Sequence, residues 1–407
     1  MELADKLNLF PDFIKIMPRF EIEKLYYITH INNISSLLEK GILAHNEIEN
    51  QNITFTPIYD QEIVNLRQNK NTEGKSLWEY ANLYFQPRNP MMYRVINETD
   101  KQNIAIIAIR KNILLESGII ITDGNAARNE TKFYDYQKGQ EILKNNWQII
   151  QNQWWKEEDG SKRKIMAECL IPKKVEPKFI DSIYVVDNKT REKVQQIVNI
   201  NKLNIIPEPN LFFQPNFASR LGNISLIAGD MFFSQMQTLT ISVNLQGVMG
   251  KGLASRAKYQ FPDLYVFYQD ACKDKKITAT QPLLYKREAS LDEELADLTA
   301  PLNTPNSVKW FLLFATKRKW RENSSLEDIE GGLNWIKTHY KEQGITSLAL
   351  PALGCGLGNL TWLEIGPLMF RYLHNLDINV AIYLPREKQI DREYLTPEFL
   401  SKKIIKS

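Results

Sequence analysis

Residues 244–254 read NLQGVMGKGLA, and residues 348–358 read LALPALGCGLG. Each glycine run follows a short apolar stretch, LTISV (239–243) before the first and ITSLAL (345–350) before the second. Each precedes a segment with helical patterning. Strand, glycine loop and helix together turn backbone N–H groups and a helix N-terminus toward a phosphate. One such loop also serves as an ordinary turn. Two in the same half of the chain predict a diphosphate held between them, and hence a nucleotide or nucleotide-sugar ligand.

Around these loops the sequence alternates. ISLIAG (224–229), LTISVN (239–244), VKWFLLFAT (308–316), SLALPA (347–352) and VAIYLP (380–385) read as strands. ASRAKYQFPDLYVFYQDACK (254–273) and SSLEDIEGGLNWIKTHYKEQG (324–344) read as helical. Such alternation predicts a three-layer α/β/α domain. The first half reads differently. LYYITH (25–30), IAIIAIR (104–110), MAECLI (166–171) and IDSIYVVD (180–187) are strand candidates, and NISSLLEKG (33–41) is a helix stopped by Gly41. This mixture predicts an α+β fold with a mainly antiparallel sheet.

The chain of 407 residues is too long for one ordinary domain. IIPEPNLFFQPN (205–216), with Pro207, Pro209 and Pro215, marks the boundary. The expected division is 1–207, a short proline-rich linker at 208–216, a second domain at 217–385 and a tail at 386–407. Hydrophobic content of 43% and charged content of 24% fit soluble globular domains. A net charge of +3 announces no nucleic acid for the whole protein, so local basic clusters matter. These are Lys162-Arg163-Lys164, Lys173-Lys174 and Lys317-Arg318-Lys319. Three separated cysteines and four histidines form neither a disulfide framework nor a usual metal pattern, so no metal is expected. MELADKLNLF (1–10) has no signal-peptide core, and no long apolar run predicts a membrane span. The expected location is the cytoplasm.

Three motifs in the second half, Gly229-Asp230 after a strand, Val243-Asn244 followed by GVMGKGLA, and LPALGCGLG, together resemble a macrodomain. The resemblance implies that Asp230 accepts a hydrogen bond from an adenine amino group and that Asn244 holds the distal ribose. It implies that Gly247, Val248, Met249, Gly250 and Gly252, with Gly354, Cys355, Gly356, Leu357 and Gly358, cradle the diphosphate of ADP-ribose. By itself a carboxylate after a strand is more often a turn or N-cap residue. FATKRKW (314–320) and CGLGNLTW (355–362) are similar to the DNA ADP-ribosylglycohydrolase group that includes DarG. There the lysine matching Lys317 attacks the anomeric carbon, a reasonable role for an amine. Read alone, three consecutive cations are a solvated turn. Two positions depart from the pattern: Gly358 stands where some relatives carry Asp, and Ile241 stands where the N-x-V-N run begins with Asn.

In the first half, LYYITHINNISSLLEKGIL, NLRQNK, FQPRNPMMY, TDGNAARNETKFY and MAECLIP, in that order, resemble DarT, a toxin family with an ADP-ribosyltransferase fold that modifies single-stranded DNA from NAD+. A histidine after a strand and an arginine near a helix end are ordinary structural features. Glu168 stands apart, because it alternates with Ala167 and Cys169 in an apolar run and so faces the other side of its strand. The resemblance implies Glu168 as the catalytic carboxylate, Arg67 on the NAD+ diphosphate, His30 near the nicotinamide ribose or amide, and Tyr93 in stacking or positioning. The loop 123–134 would approach the nucleic acid, and Lys162, Arg163 and Lys164 would contact its phosphates; an exposed loop is an equal reading of those three.

The combined expectation is a fused toxin and antitoxin: a writer of ADP-ribose on a DNA base and its eraser, one chain keeping them at high effective concentration. Neutralisation would rest mainly on erasure, aided by contact between the halves, so that deleting 386–407 leaves cells viable. Two alternatives stay open: a macrodomain that reads ADP-ribosyl groups without hydrolysis, and a transferase that targets RNA or protein. The modified base, thymine or guanine, is also open.

Overall fold

The computed structural model describes residues 20–58, 61–198, 203–288, 309–385 and 390–401. The segment 1–10 and Val308 of one expected strand lie outside these residues. The described residues up to Phe212 gather into one compact unit, and the described residues from Phe213 onward gather into another.

The first unit is built on an eight-stranded sheet. Its strands are β1 (Lys24–His30), β2 (Tyr80–Tyr84), β3 (Ile104–Arg110), β4 (Ile120–Thr122), β5 (Phe133–Tyr134), β6 (Glu168–Pro172), β7 (Ile180–Val185) and β8 (Asn204–Pro207). They lie in the order β8-β7-β3-β1-β2-β6-β4-β5. Only the β7–β8 pair is parallel. The run IAIIAIR becomes β3, paired along its length with β1 and flanked on its other side by β7. Six of its seven residues are buried, as expected of a central strand covered on both faces. Helices α1 (Ile34–Lys40), α2 (Gln61–Asn69), α3 (Pro90–Glu98) and α4 (Tyr136–Ile150) surround the sheet. The Asn89 side chain accepts the Met92 N–H at 3.0 Å, and Pro90 opens α3, so PRNPMM is a capped helix start. Gly41 ends α1 as the sequence predicts, its N–H donating to the Leu37 carbonyl at 2.9 Å.

The second unit carries seven strands: β9 (Asn216–Leu221), β10 (Ile224–Ala228), β11 (Thr238–Val243), β12 (Leu283–Tyr285), β13 (Trp310–Ala315), β14 (Ser347–Pro351) and β15 (Asn379–Tyr383). Their order is β9-β10-β15-β14-β11-β13-β12. The interior pairs are parallel, and both edge strands run antiparallel to their neighbours. Helices α5 (Gly252–Gln260), α6 (Pro262–Lys273), α7 (Leu326–His339) and α8 (Trp362–Leu373) connect them. The single helical stretch expected over 254–273 is two helices, because Pro262 takes the first position of α6 and starts it anew.

Two expected connectors are built into the structure. In 208–216, Phe212 is fully buried, the Arg88 Nε donates to the Asn210 carbonyl at 3.0 Å, and Phe213 packs its ring 4.6 Å from Phe233. The tail is described over 390–401, where Leu395 and Leu400 join the core of the second unit and the Trp362 indole N–H donates to the Tyr394 carbonyl at 3.0 Å. Deleting 386–407 therefore removes core side chains, a consequence that the sequence of the tail does not announce.

Candidate active sites of the two units

In the first unit, the alternation of MAECLI decides where its carboxylate goes. Ala167, Cys169 and Ile171 enter the main core, whereas Leu170 packs on the other face with Ile120 and Ala126. Glu168 shares that second face and is fully buried. A buried carboxylate must be held by donors or cations. The Ala126 N–H donates to Oε1 at 2.8 Å. The Arg67 guanidinium, from the last turn of α2, places Nη1 3.1 Å from Oε1 and 3.0 Å from Oε2. The contact to Oε2 is an ion contact without hydrogen-bond alignment, so Oε2 keeps a lone pair with no donor. Thr122 completes the frame, its hydroxyl accepting the Glu168 N–H at 2.8 Å and donating to the Gly124 carbonyl at 2.7 Å.

Arg67 also lines a cavity of about 220 Å³, together with Thr29, His45, Trp78, Arg94 and Asn125. His45 lies 4.0 Å from the Trp78 ring, an aromatic wall that is not legible in the sequence, because its two members are far apart in the chain. Thr29 and Asn32 line the cavity on either side of His30. The His30 Nδ1 accepts the Asn32 N–H at 3.2 Å, which leaves Nε2 to carry the proton as a donor. Burial holds the His30 pKa below its ordinary value, favouring this neutral ring. Tyr93 is buried, while α3 turns Met91, Arg94 and Val95 toward the cavity instead.

The loop 123–134, expected to approach nucleic acid, contributes Ala126 to the Glu168 frame, and Thr122, at the end of β4, precedes it. The basic cluster beside it is turned inward. The Arg163 guanidinium grips Asp123 at 2.8 and 3.3 Å and donates to the Thr131 hydroxyl at 3.1 Å. Lys162 is buried, with its amine 3.5 Å from Glu157. Arg163 therefore braces the loop, Lys162 pairs with Glu157 outside it, and Lys164 is half-buried. The physical reason is local: Asp123 and Glu157 lie within reach, and a paired internal cation is better satisfied than one without a carboxylate.

In the second unit, the three motifs follow three parallel strands of one sheet, β10, β14 and β11, of which β14 and β11 are neighbours and β10 is separated from them by β15. Asn244 follows β11. Its side chain accepts the Gln246 N–H at 2.9 Å and donates to the Val248 carbonyl at 2.6 Å, so it staples the first glycine loop. Its own carbonyl accepts the Tyr268 hydroxyl at 2.7 Å. Asp230 follows β10, accepts the Phe232 N–H at 3.2 Å and is gripped by Arg256 at 2.8 and 2.7 Å. Arg256 also lies 4.3 Å over the Phe232 ring. This partner is not legible in the sequence, since α5 brings it to Asp230 from 26 positions away.

The second loop needs its glycines. Gly354 has φ +75°, a conformation side chains rarely adopt. A Cβ at Gly358 would fall 2.2 Å from the Ser324 hydroxyl and 2.4 Å from the Gly354 carbonyl oxygen. In this chain an Asp at that position has no room.

The basic run 317–319 is resolved residue by residue. Arg318 makes two bonds to Asp328, at 3.0 and 2.9 Å, and Lys319 lies 3.3 Å from Glu322. Lys317 differs: it is half-buried, and its amine donates to the Leu357 carbonyl in the second glycine loop. Burial lowers its pKa below the usual lysine range. Among the described residues, no three His, Cys, Asp or Glu side chains gather as a metal site, and no helix is long and apolar enough to cross a membrane.

A mainly antiparallel sheet holding a buried carboxylate beside a cavity, followed by a mixed sheet with two glycine loops around a lysine, defines the class: an ADP-ribosyltransferase fold joined to a macrodomain. A family model described as "ssDNA thymidine ADP-ribosyltransferase, DarT" matches residues 26–213. A Thermosipho africanus protein described as a DNA ADP-ribosyl transferase–DNA ADP-ribosyl glycohydrolase fusion is 53% identical over 388 residues, covering 95% of this chain and 99% of its own. The solved structure of Thermosipho africanus DarTG in complex with ADP-ribose matches with a TM-score of 0.85 and 51% identity, covering 93% of this chain and all of that one. A Thermus aquaticus DNA ADP-ribosyl glycohydrolase is 32% identical over 165 residues, 40% of this chain and 42% of its own. The chain belongs to the family of DNA ADP-ribosyl transferase–DNA ADP-ribosyl glycohydrolase fusion proteins.

Proposed function

We propose that the first unit transfers ADP-ribose from NAD+ to a thymine of single-stranded DNA and that the second hydrolyses it off again, a fused toxin and antitoxin acting in the cytoplasm. The observation that carries the transferase is the buried Glu168, held by Arg67 and the Ala126 N–H with one oxygen still free to accept. As the bond from nicotinamide to ribose breaks, positive charge grows on the ribose, and a carboxylate fixed in a water-poor site stabilises it. The base nitrogen then forms the new bond to the anomeric carbon, and its proton passes to the free Glu168 oxygen. Arg67 orients the carboxylate and offers charge to the diphosphate. His30 offers its Nε2–H to the nicotinamide side. The description of the matching family model supports thymine as the base.

In the eraser, the glycine loops present backbone N–H groups to the diphosphate. The Lys317 amine attacks the anomeric carbon and displaces the base, which takes up a proton on leaving; water then releases ADP-ribose and restores the amine. The Thermosipho africanus sequence and solved structure, each covering nearly this whole chain, support the pairing of activities over a reader or an RNA or protein target.

The test is mass spectrometry of single-stranded oligonucleotides incubated with NAD+ and the full-length Lys317→Ala protein. A gain of one ADP-ribosyl group on thymine, lost when NAD+ is removed and the wild-type chain is added, is the expected result. No adduct on DNA, with RNA or protein labelled instead, would overturn the proposed substrate. An adduct that the wild-type chain leaves in place would make the second unit a reader.

A further inference from the structure

Erasure leaves a strand that must lie somewhere. The glycine loops take the diphosphate, and Lys317 stands at the anomeric carbon. The base and its strand therefore depart on the side of the segment that carries Lys317. Three positions further along that segment is Trp320, an indole with 49% of its surface exposed. Isolated exposed aromatics are ordinary, but this one is mounted. The Trp320 backbone N–H donates to the Gln246 side chain at 3.1 Å, and the Arg318 carbonyl accepts the Leu245 N–H at 3.2 Å, tying the backbone that carries the ring to the first glycine loop. Arg321 places its guanidinium 4.4 Å from the ring centre. Val248 and Leu357, the other exposed apolar residues here, belong to the diphosphate loops, and Trp320 belongs to neither. Of the four cations in 317–321, Arg318 pairs with Asp328 and Lys319 with Glu322, and Arg321 stands beside the ring. An exposed ring among cations, fixed next to the bond being cut, has the chemistry of a single-strand contact, where bases stack on aromatics and phosphates meet positive charge.

We propose that Trp320 is a stacking platform for an unpaired base neighbouring the ADP-ribosylated one, with Arg321 facing the strand's phosphates, so that the eraser selects modified single-stranded DNA over a modified nucleoside. This rests on the glycohydrolase reading above. The test compares full-length wild type, Trp320→Ala and Trp320→Phe, without NAD+, on an ADP-ribosylated single-stranded oligonucleotide and on ADP-ribosylated thymidine. Release of ADP-ribose gives kcat/KM for each. Trp320→Ala should lower the ratio of oligonucleotide to nucleoside kcat/KM about 5- to 100-fold, the range for losing one base stacked on a ring. Trp320→Phe should restore most of that ratio, and abasic positions beside the modified base should abolish the difference between wild type and Trp320→Ala. An equal loss on both substrates, no loss on the oligonucleotide, or indifference to abasic neighbours would each overturn the platform while leaving hydrolysis intact. Wild type that releases nothing from either substrate would overturn the glycohydrolase reading, and the platform with it.

Discussion

Replacing Glu168 separates its structural duty from its chemical one. In Glu168→Ala, the Ala126 N–H loses its acceptor and Arg67 loses its carboxylate. Removing one partner of a buried pair costs about 3–5 kcal/mol. The Arg67 side chain is 15% exposed and can reach water, so the lower part of that range applies, about 3–4 kcal/mol. For a unit of this size each kcal/mol moves the melting point by roughly 2–4 °C, so the variant should melt roughly 6–16 °C lower. Glu168→Gln keeps the shape and one oxygen for the Ala126 N–H but removes the charge. Its melting point should stay much closer to wild type, while transfer to single-stranded DNA falls by at least about 10²–10³-fold, the cost of losing one electrostatic contact to a developing charge. The assay is calorimetry of both variants beside quantified transfer of labelled ADP-ribose, each in the Lys317→Ala background so that product persists. Glu168→Gln that transfers within tenfold of the parent while melting normally would refute the assignment of Glu168 to the chemistry.

Because burial lowers the Lys317 pKa, its reactive amine form appears at lower pH than in an ordinary lysine. The rate of erasure should rise about tenfold per pH unit below that pKa and level off before the usual lysine range, and Lys317→Arg, which cannot deprotonate, should abolish it; a flat pH profile would contradict the nucleophile. Gly358→Ala should cost about 1–3 kcal/mol through overpacking against the Gly354 carbonyl, and calorimetric titration should show weaker ADP-ribose binding. Gly356→Ala, whose Cβ meets nothing within 4 Å, is the stability control, and equal melting points for the two would count against the packing argument. Arg256→Ala leaves the Asp230 carboxylate buried without its cation, so it should destabilise the second unit by about 3 kcal/mol and weaken ADP-ribose binding; an unchanged melting curve would show that the pair is not needed.

The sequence by itself determined the fold class of each half and its principal strands. IAIIAIR and WFLLFA are apolar on both faces and read as buried strands, and the two glycine runs after strands marked the candidate ligand loops. The alternation in MAECLI is enough to set Glu168 on the face opposite Ala167 and Cys169. Tertiary structure decided which charged residues are available. Lys317, Arg318 and Lys319 are equivalent as a string, and only the approach of Asp328, Glu322 and the Leu357 carbonyl makes Lys317 the half-buried amine. The family resemblance implies ligand contacts for Arg163 and Asp230, and the fold adds an internal partner to each, Asp123 and Arg256, that the sequence does not announce. The Thr122 and Ala126 supports of Glu168 are equally hidden, because a backbone N–H leaves no mark in sequence. Local patterning records which face a residue occupies; the partner waiting on that face comes from elements far away in the chain, and so it is decided only when the chain folds.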